Sequence, residues 1–362
     1  MRGKQSFDSL DVLYIELTNA CNFKCIHCGN GTGEKNTLEV DLLKKVFTDF
    51  KEGGGEKIML TGGEPLLHPD LKEILDVCKE HKFTTHLSTN SFLLNNSHFD
   101  FIFDYDLMFR CSLDGSKEQH NAIRGHPFAY EGLISAIKKM GKHDRQVILR
   151  TTVMKQNKDS IVEMIYELER LTKEENIKIN GVKIWPVRNI GRADSAYMLT
   201  PQEYFEFLRN LNQKTRNFKP KFKIVVGPTF GIEQEFKGGP IQSNEIYTCN
   251  ILSKALEISF TGEVYPCSFI HYSLGNVRAQ SIQDIFRSQN AVDFRKTFLD
   301  KSRKDCDGCS SYESCKGGCI AEQYQKLLTG KDEKVKDVYC FRDSKKSADL
   351  PCGAACSGDM CD

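Results

Sequence analysis

The sequence has almost no excess charge and no long apolar run. Fifty lysines and arginines against 49 aspartates and glutamates leave a net charge of +1 over 362 residues. The signs are well mixed, so composition gives no electrostatic case for nucleic acid or an acidic membrane surface as a partner. No stretch approaches the roughly 18 apolar residues of a membrane span, and Met1–Ser6 lead into charged sequence without the apolar h-region of a secretory signal. Internal repeats and low-complexity tracts are also absent. A cytoplasmic protein is expected. Its length suits one large α/β domain plus a smaller one.

Cysteine is the abundant residue, with fifteen copies. In a cytoplasmic chain that number points to metal rather than to a disulfide framework. Cys21, Cys25 and Cys28 stand at C-x3-C-x2-C just after an apolar run. Three thiolates can hold three irons of a [4Fe–4S] cube and leave the fourth for another ligand. A structural zinc normally closes with four ligands, and no fourth lies near.

Apolar spacing predicts strands at 12–17, 57–61, 84–88, 105–112, 147–154 and 178–187. Helices are expected at 38–50 (capped by Thr37), 71–79, 130–140, 161–171 and 201–212. Strands alternating with helices of this length argue for a parallel sheet covered by helices, with chemistry at the C-terminal strand ends. Thr61-Gly62-Gly63-Glu64-Pro65 follows the second strand, where two glycines permit close backbone approach and Glu64 could meet an ammonium group. Ser88-Thr89-Asn90 ends the third, Ser112-Leu113-Asp114-Gly115 the fourth, and Trp185-Pro186-Val187 the sixth. Arg124-Gly125 comes after a short helical turn. Gly29–Gly33 lacks the strand-to-helix context of a dinucleotide fingerprint and reads as a connection. Past about residue 240 the alternation gives way to short strands, turns and cysteines, as in a small domain stabilised by metal.

The cysteine triplet resembles the C-x3-C-x-Φ-C signature of the radical S-adenosylmethionine (SAM) superfamily, with His27 at Φ. The later cysteines resemble its SPASM extension: Cys249, twelve residues, Gly262, four residues, Cys267, then Cys306-x2-Cys309-x5-Cys315-x3-Cys319, then Cys340. Leu274–Val277 and helix-like sequence from 282 to 298 resemble the connector between the two halves. The resemblance implies a partial (β/α)6 TIM-like barrel over 1–235, a cysteine-rich SPASM domain over 236–345, and a cysteine-bearing tail over 346–362 with little core.

It also implies SAM and three [4Fe–4S] clusters. Cys21, Cys25 and Cys28 would hold the SAM-binding cluster. Cys306, Cys309, Cys315 and Cys340 would hold one auxiliary cluster. Cys249, Cys267 and Cys319 would hold the other, its last iron open or capped by a tail cysteine (Cys352, Cys356, Cys361) or a substrate thiol. His27, Gly62, Gly63, Glu64, Asn90, Ser112, Arg124 and Trp185 would contact SAM. Gly191-Arg192-Ala193 recurs in the subgroup without an evident role, and Cys78 and Cys111 read as packing residues.

By the same resemblance, SAM is cleaved reductively to a 5′-deoxyadenosyl radical that removes a substrate hydrogen atom, and the auxiliary clusters take the remaining electron. The expected substrate is a ribosomal peptide or protein, dehydrogenated or crosslinked, for example through a thioether. The expected reductant is of the flavodoxin or ferredoxin type. Only twenty residues precede Cys21, so leader recognition falls to a separate protein or another surface. Ser268 stands where sulfatase-maturing members carry an acidic base, and the sequence names no catalytic acid or base. Two other readings are a small-molecule dehydrogenase or epimerase and, outside enzymes, an iron–sulfur electron carrier or zinc module.

Overall fold

The computed structural model describes residues 9–29, 35–175, 177–216, 218, 220–229, 239–243, 254–298, 306, 308–309, 312, 317–328 and 337–341. Its strands are β1 (Val12–Glu16), β2 (Lys57–Thr61), β3 (Thr84–Thr89), β4 (Leu107–Ser112), β5 (Val147–Val153), β6 (Ile179–Pro186), β7 (Lys223–Val226), β8 (Ile241–Ser243), β9 (Ala255–Ile258), β10 (Glu263–Tyr265) and β11 (Gly275–Asn276). The helices are α1 (Val40–Glu52), α2 (Leu71–Glu80), α3 (Lys117–Arg124), α4 (Ala129–Lys142), α5 (Ile161–Glu174), α6 (Pro201–Thr215), α7 (Ile282–Arg287), α8 (Gln289–Phe298) and α9 (Ile320–Leu328).

One sheet carries all eleven strands in the order β11-β10-β9-β1-β2-β3-β4-β5-β6-β7-β8, with β11 and β8 as its edges, so it does not close. Every pair from β9 to β8 is parallel. Only β10 runs antiparallel, to β9 and β11. The six expected strands thus form a partial barrel wall. β7 and β8 lengthen it on one side, and β9 lies against β1 with Tyr14 opposite Glu257. Residues 255–298 share the barrel's apolar core through Leu256, Ile258, Ile285 and Phe294.

Most barrel strands alternate buried and less buried positions. Leu13, Ile15, Ile58, Leu60, Leu87, Phe109, Leu149 and Ile184 are buried beneath the helices. Their neighbours Tyr14, Glu16, His86, Ser88, Arg110, Ser112 and Thr152 are half-buried, and Arg150 is exposed. A parallel strand covered on both faces would be apolar throughout. Here polar side chains hold the second face, which therefore encloses a wet lumen.

Three local differences from the expected elements have physical causes. α1 begins at Val40 and not after Thr37, because Thr37 bridges Thr18 and the Leu38 amide donates to Leu17 O at 2.9 Å. β4 begins at Leu107, since Tyr105 closes the 3-10 helix over 97–104, its amide donating back to Ile102 O at 3.4 Å. The helix-like run 282–298 is two helices: Ser288 turns to ψ 158°, and its Oγ accepts from the Ala291 amide at 3.2 Å as the cap of the second. α6, by contrast, opens on a full capping box between Thr200 and Glu203.

Candidate active site

Cys21, Cys25 and Cys28 sit on the loop after β1, and each is a free thiol: Cys21 exposed, Cys25 buried and Cys28 between. Among the described residues no three His, Cys, Asp or Glu side chains converge on a point that would hold a single metal ion. A cluster asks for something else, one thiolate at each of several corner irons. The polar surroundings of the sulfurs suit that charge. The Phe23 amide donates to Cys21 Sγ at 3.4 Å, and Arg124 Nη1 lies 3.8 Å from Cys25 Sγ. Although the Cys21 residue reaches solvent, desolvation of its sulfur by the packed loop pushes the thiol up to about 11, and repulsion from Glu64, Cys25 and Cys28 adds to it. A bound cation would relieve that cost.

The glycine motif clamps this loop from β2. The amide of Gly63 donates to Thr18 O and that of Glu64 to Ala20 O, at 2.7 and 2.8 Å. A Cβ on Gly63 would lie 2.2 Å from Ala20 O. From the other side, Gly191-Arg192-Ala193 acquires the role its sequence did not suggest. The Arg192 amide donates to Cys28 O at 2.9 Å, and Gly191, at φ +66°, is so close that a Cβ would meet Gly29 Cα at 2.5 Å. The Ile26 amide bonds Ile123 O at the end of α3.

Several residues expected to touch SAM are engaged with the protein itself. Glu64 is wholly buried, and its carboxylate is hydrogen-bonded within the protein. It accepts from Thr89 Oγ1 at 2.6 Å, the Asn90 amide at 2.8 Å and the Leu66 amide at 3.3 Å, while burial pushes its pKa up to about 7. Asn90 bonds Asn22 in the cysteine loop through Nδ2, and its Oδ1 accepts from the Phe92 amide. Arg124 is buried in an ion pair with Asp114 at 2.6 Å, and its Nε has no hydrogen-bond partner. Asp114 Oδ1 in turn accepts from the Thr152 amide at 2.8 Å.

A cavity of ≈ 530 Å³ opens at the C-terminal strand ends. His27, Gly62 and Trp185 line it; Gly63, Glu64, Asn90, Ser112 and Arg124 are not in its wall. His27 is neutral, its pKa driven down to about 4 by burial and then by Arg124, and its buried Nδ1 lacks a hydrogen-bond partner. That orphaned atom is what a bound cofactor would satisfy. A larger depression of ≈ 630 Å³ lies at the opposite strand ends around Thr84, Asp106 and Gln146, away from the thiol loop.

Cys267 and Cys319 line the same cavity from its far side. The Cys319 amide donates to Asp337 Oδ2 at 2.9 Å, and that of Cys340 to Asp337 O at 3.0 Å. Asp337 is held by Arg188 through two bonds of 3.0 and 3.1 Å, so residues 337–341, and Cys319 bonded to them, are tied to the barrel just past β6. The Cys309 amide donates to Cys306 O at 3.1 Å. Cys249, Cys315, Cys352, Cys356 and Cys361 lie outside the described residues.

The cavity also contains groups that sequence reading missed. Glu16 on β1 and Glu257 on β9 are hydrogen-bonded to one another. Burial pushes Glu16 up to about 7. It raises Glu257 as well, and repulsion from Glu16 adds to the shift. Two carboxylates so close cannot both ionise, so the pair holds a proton at neutral pH. Ser268 bonds Glu257 through both side chain and backbone. Arg110, Arg150 and Lys183 form another part of the lining. The available signal was a polar residue at every second place in an otherwise apolar strand.

The radical SAM superfamily model matches residues 15–168, and the iron–sulfur cluster-binding domain called SPASM matches 249–316. The AdoMet-dependent heme synthase of Methanosarcina barkeri is 27% identical over 347 residues, covering 91% of this chain and 96% of that protein. The antilisterial bacteriocin subtilosin biosynthesis protein AlbA of Bacillus subtilis is 26% identical over 351 residues, covering 93% and 72%. Among solved structures, Streptococcus suis SuiB bound to its precursor peptide SuiA superposes with a TM-score of 0.72 at 17% identity, covering 93% of this chain and 76% of that one. The chain thus carries a radical SAM domain and a SPASM domain, with His27 and Gly29 of the thiol loop and the later Cys267 and Cys319 lining one cavity, and is a radical SAM/SPASM enzyme.

Proposed function

We propose that this enzyme oxidises a side chain of a ribosomal peptide or protein, by dehydrogenation or by closing a crosslink such as a thioether. One observation carries the reading: the thiol-loop side of the cavity and the SPASM cysteines Cys267 and Cys319 open on the same volume. A substrate between them has the SAM site on one side and an electron acceptor on the other. With SAM and reduced cluster bound, the cofactors supply a 5′-deoxyadenosyl radical that removes a hydrogen atom.

The chain's residues do the rest. Cys21, Cys25 and Cys28 are the thiolates for the SAM-binding cluster. Cys306, Cys309, Cys315 and Cys340, with Cys249, Cys267 and Cys319, serve two auxiliary clusters, making three in all. Gly62, Gly63 and Gly191 hold the loop, and Glu64, Asn90 and Arg124 fix it from behind. His27, Ser112 and Trp185 complete the SAM site. The Glu16–Glu257 pair, in which Glu16 ionises as pH rises through about 7 while Glu257 keeps its proton, accepts the proton the oxidised substrate sheds. Residues 1–235 would form the SAM-binding unit, 236–345 the auxiliary-cluster unit and 346–362 an appended tail. No described helix is long and apolar enough to cross a membrane, which suits a cytoplasmic enzyme fed by a flavodoxin or ferredoxin and helped by a separate leader-binding protein.

The similarity to a heme synthase along 96% of that protein supports a second reading, oxidation of a small molecule. Anaerobic reconstitution with SAM and dithionite, followed by mass spectrometry of a peptide encoded beside the gene, separates the two. Loss of two hydrogens from the peptide, with 5′-deoxyadenosine formed, supports the first reading. Formation of 5′-deoxyadenosine with no change in any neighbouring peptide overturns it in favour of the second.

A further inference from the structure

We propose that the lumen wall formed by Arg110, Arg150 and Lys183 is a binding site for a carboxylate of the substrate. This deepens the functional reading above by assigning a chemical class to the group that enters the cavity. The three side chains come from adjacent strands β4, β5 and β6, and Arg150 stands opposite Lys183 in the register. All three line the cavity.

They are placed at a cost. Arg110 loses basicity, to about 10, through burial and then through Arg150. Lys183 is lowered by burial and by Arg110, Arg150 and Lys57. His86, on the neighbouring strand, is driven down to about 4 by burial and by Arg110, Lys57 and Lys183. Neither Arg110 nor Lys183 has a carboxylate partner among the described residues. Among the described residues Arg110 meets only the hydroxyl of Tyr14 and Met59 Sδ, the latter at 3.9 Å, and its buried Nε has no hydrogen-bond partner there. Arg188, the other cation in the wall, is already committed to Asp337 and Glu322. The cavity's carboxylates, Glu16 and Glu257, are committed to each other. Arg110 and Lys183, like charges kept half-buried without a carboxylate partner among the described residues, are built for an anion that arrives from outside.

The SAM carboxylate does not meet this need by position. Arg110 and Lys183 precede Ser112 and Trp185 by two residues on their strands, which sets them about 7 Å deeper in the lumen than the strand ends. Carboxylates can come from acidic peptide side chains or from a small polycarboxylic acid, and the recognition chemistry is the same.

The test uses the anaerobically reconstituted holoenzyme with SAM bound. Isothermal titration compares a capped tetraglutamate peptide with its tetraglutamine counterpart, and benzene-1,3,5-tricarboxylate with the corresponding triamide. At least one carboxylate probe should bind about tenfold or more tightly than its amide, and which one does so identifies the source. Arg110→Gln with Lys183→Gln should abolish the preference, and Arg110→Lys should keep part of it. Cluster absorbance reports that the variants are folded. No preference in the wild type, a preference intact in the double variant, or an equal loss of SAM affinity would each overturn the assignment. Because 5′-deoxyadenosine formation is followed separately in the wild type, failure of this site and failure of the radical chemistry are distinguishable.

Discussion

Replacing Arg188 by methionine tests how the SPASM segment is held to the barrel. The guanidinium makes two bonds to Asp337, one to Glu322, and lies 4.9 Å over the ring of Tyr339. Burial alone would lower its basicity, but the carboxylates of Asp337 and Glu322 outweigh that and keep it firmly charged. Asp337 is 3% exposed and also accepts from the amides of Cys319 and Tyr339, both at 2.9 Å. Removing the cation leaves a buried carboxylate without its counter-charge, which costs about 3–5 kcal/mol. At 1.4 kcal/mol per factor of ten this is roughly a hundredfold to a few thousandfold in the opening equilibrium around Cys319 and residues 337–341. Hydrogen exchange at the Cys319 and Tyr339 amides of the holoenzyme reads that opening directly. Asp337→Asn should act in the same direction and less severely, since the amide oxygen still accepts. Acceleration of less than tenfold at these amides in Arg188→Met would refute the reasoning.

Gly63→Ala and Gly191→Ala should each displace the thiol loop, because their Cβ atoms would lie 2.2 and 2.5 Å from Ala20 O and Gly29 Cα; iron per chain after reconstitution should fall, with about 1–3 kcal/mol of strain to relieve. Asp114→Asn strips the buried Arg124 of its charge partner and should cost about 3–5 kcal/mol, lowering the unfolding temperature more than Lys72→Met, which breaks only an exposed pair. For Glu16, a folded pKa raised from 4.5 to about 7 means that the native state binds extra proton between those values. Its contribution to stability is therefore present below pH 4.5 and lost as pH rises through 7. If the pair accepts the substrate proton, product formation should instead rise with pH through about 7, and Glu16→Gln should flatten that limb in a pH–rate profile. An unchanged limb would remove the pair from the chemistry.

The six barrel strands and their covering helices were legible because each apolar face repeats at its own period. Ile58 and Leu60 mark a strand as plainly as Leu43, Val46, Phe47 and Phe50 mark a helix. The three loop cysteines and the glycine pair were legible because their spacing is local. What escaped depended on contacts distant in sequence. Glu257 reads as an ordinary residue of a short strand until β9 is laid beside β1. The hydrogen bonds that Thr89 and Asn90 bring to Glu64 appear only once the next strand is laid beside it. Gly191 has no meaning until its backbone is packed on Gly29. Arg110, Arg150 and Lys183 were visible as polar interruptions of apolar strands, and only the parallel register places them on one wall. Ser288 was missed for a smaller reason: a serine inside a helical pattern does not announce whether it continues the helix or caps the next.

The most direct measurement is electron paramagnetic resonance of the reduced, anaerobically reconstituted protein before and after SAM, with 5′-deoxyadenosine quantified in the same samples. The account predicts a [4Fe–4S] signal that SAM perturbs, accompanied by SAM cleavage, with both lost in Cys21→Ala, Cys25→Ala and Cys28→Ala. A colourless protein carrying zinc, or cleavage that survives removal of these thiols, would contradict it.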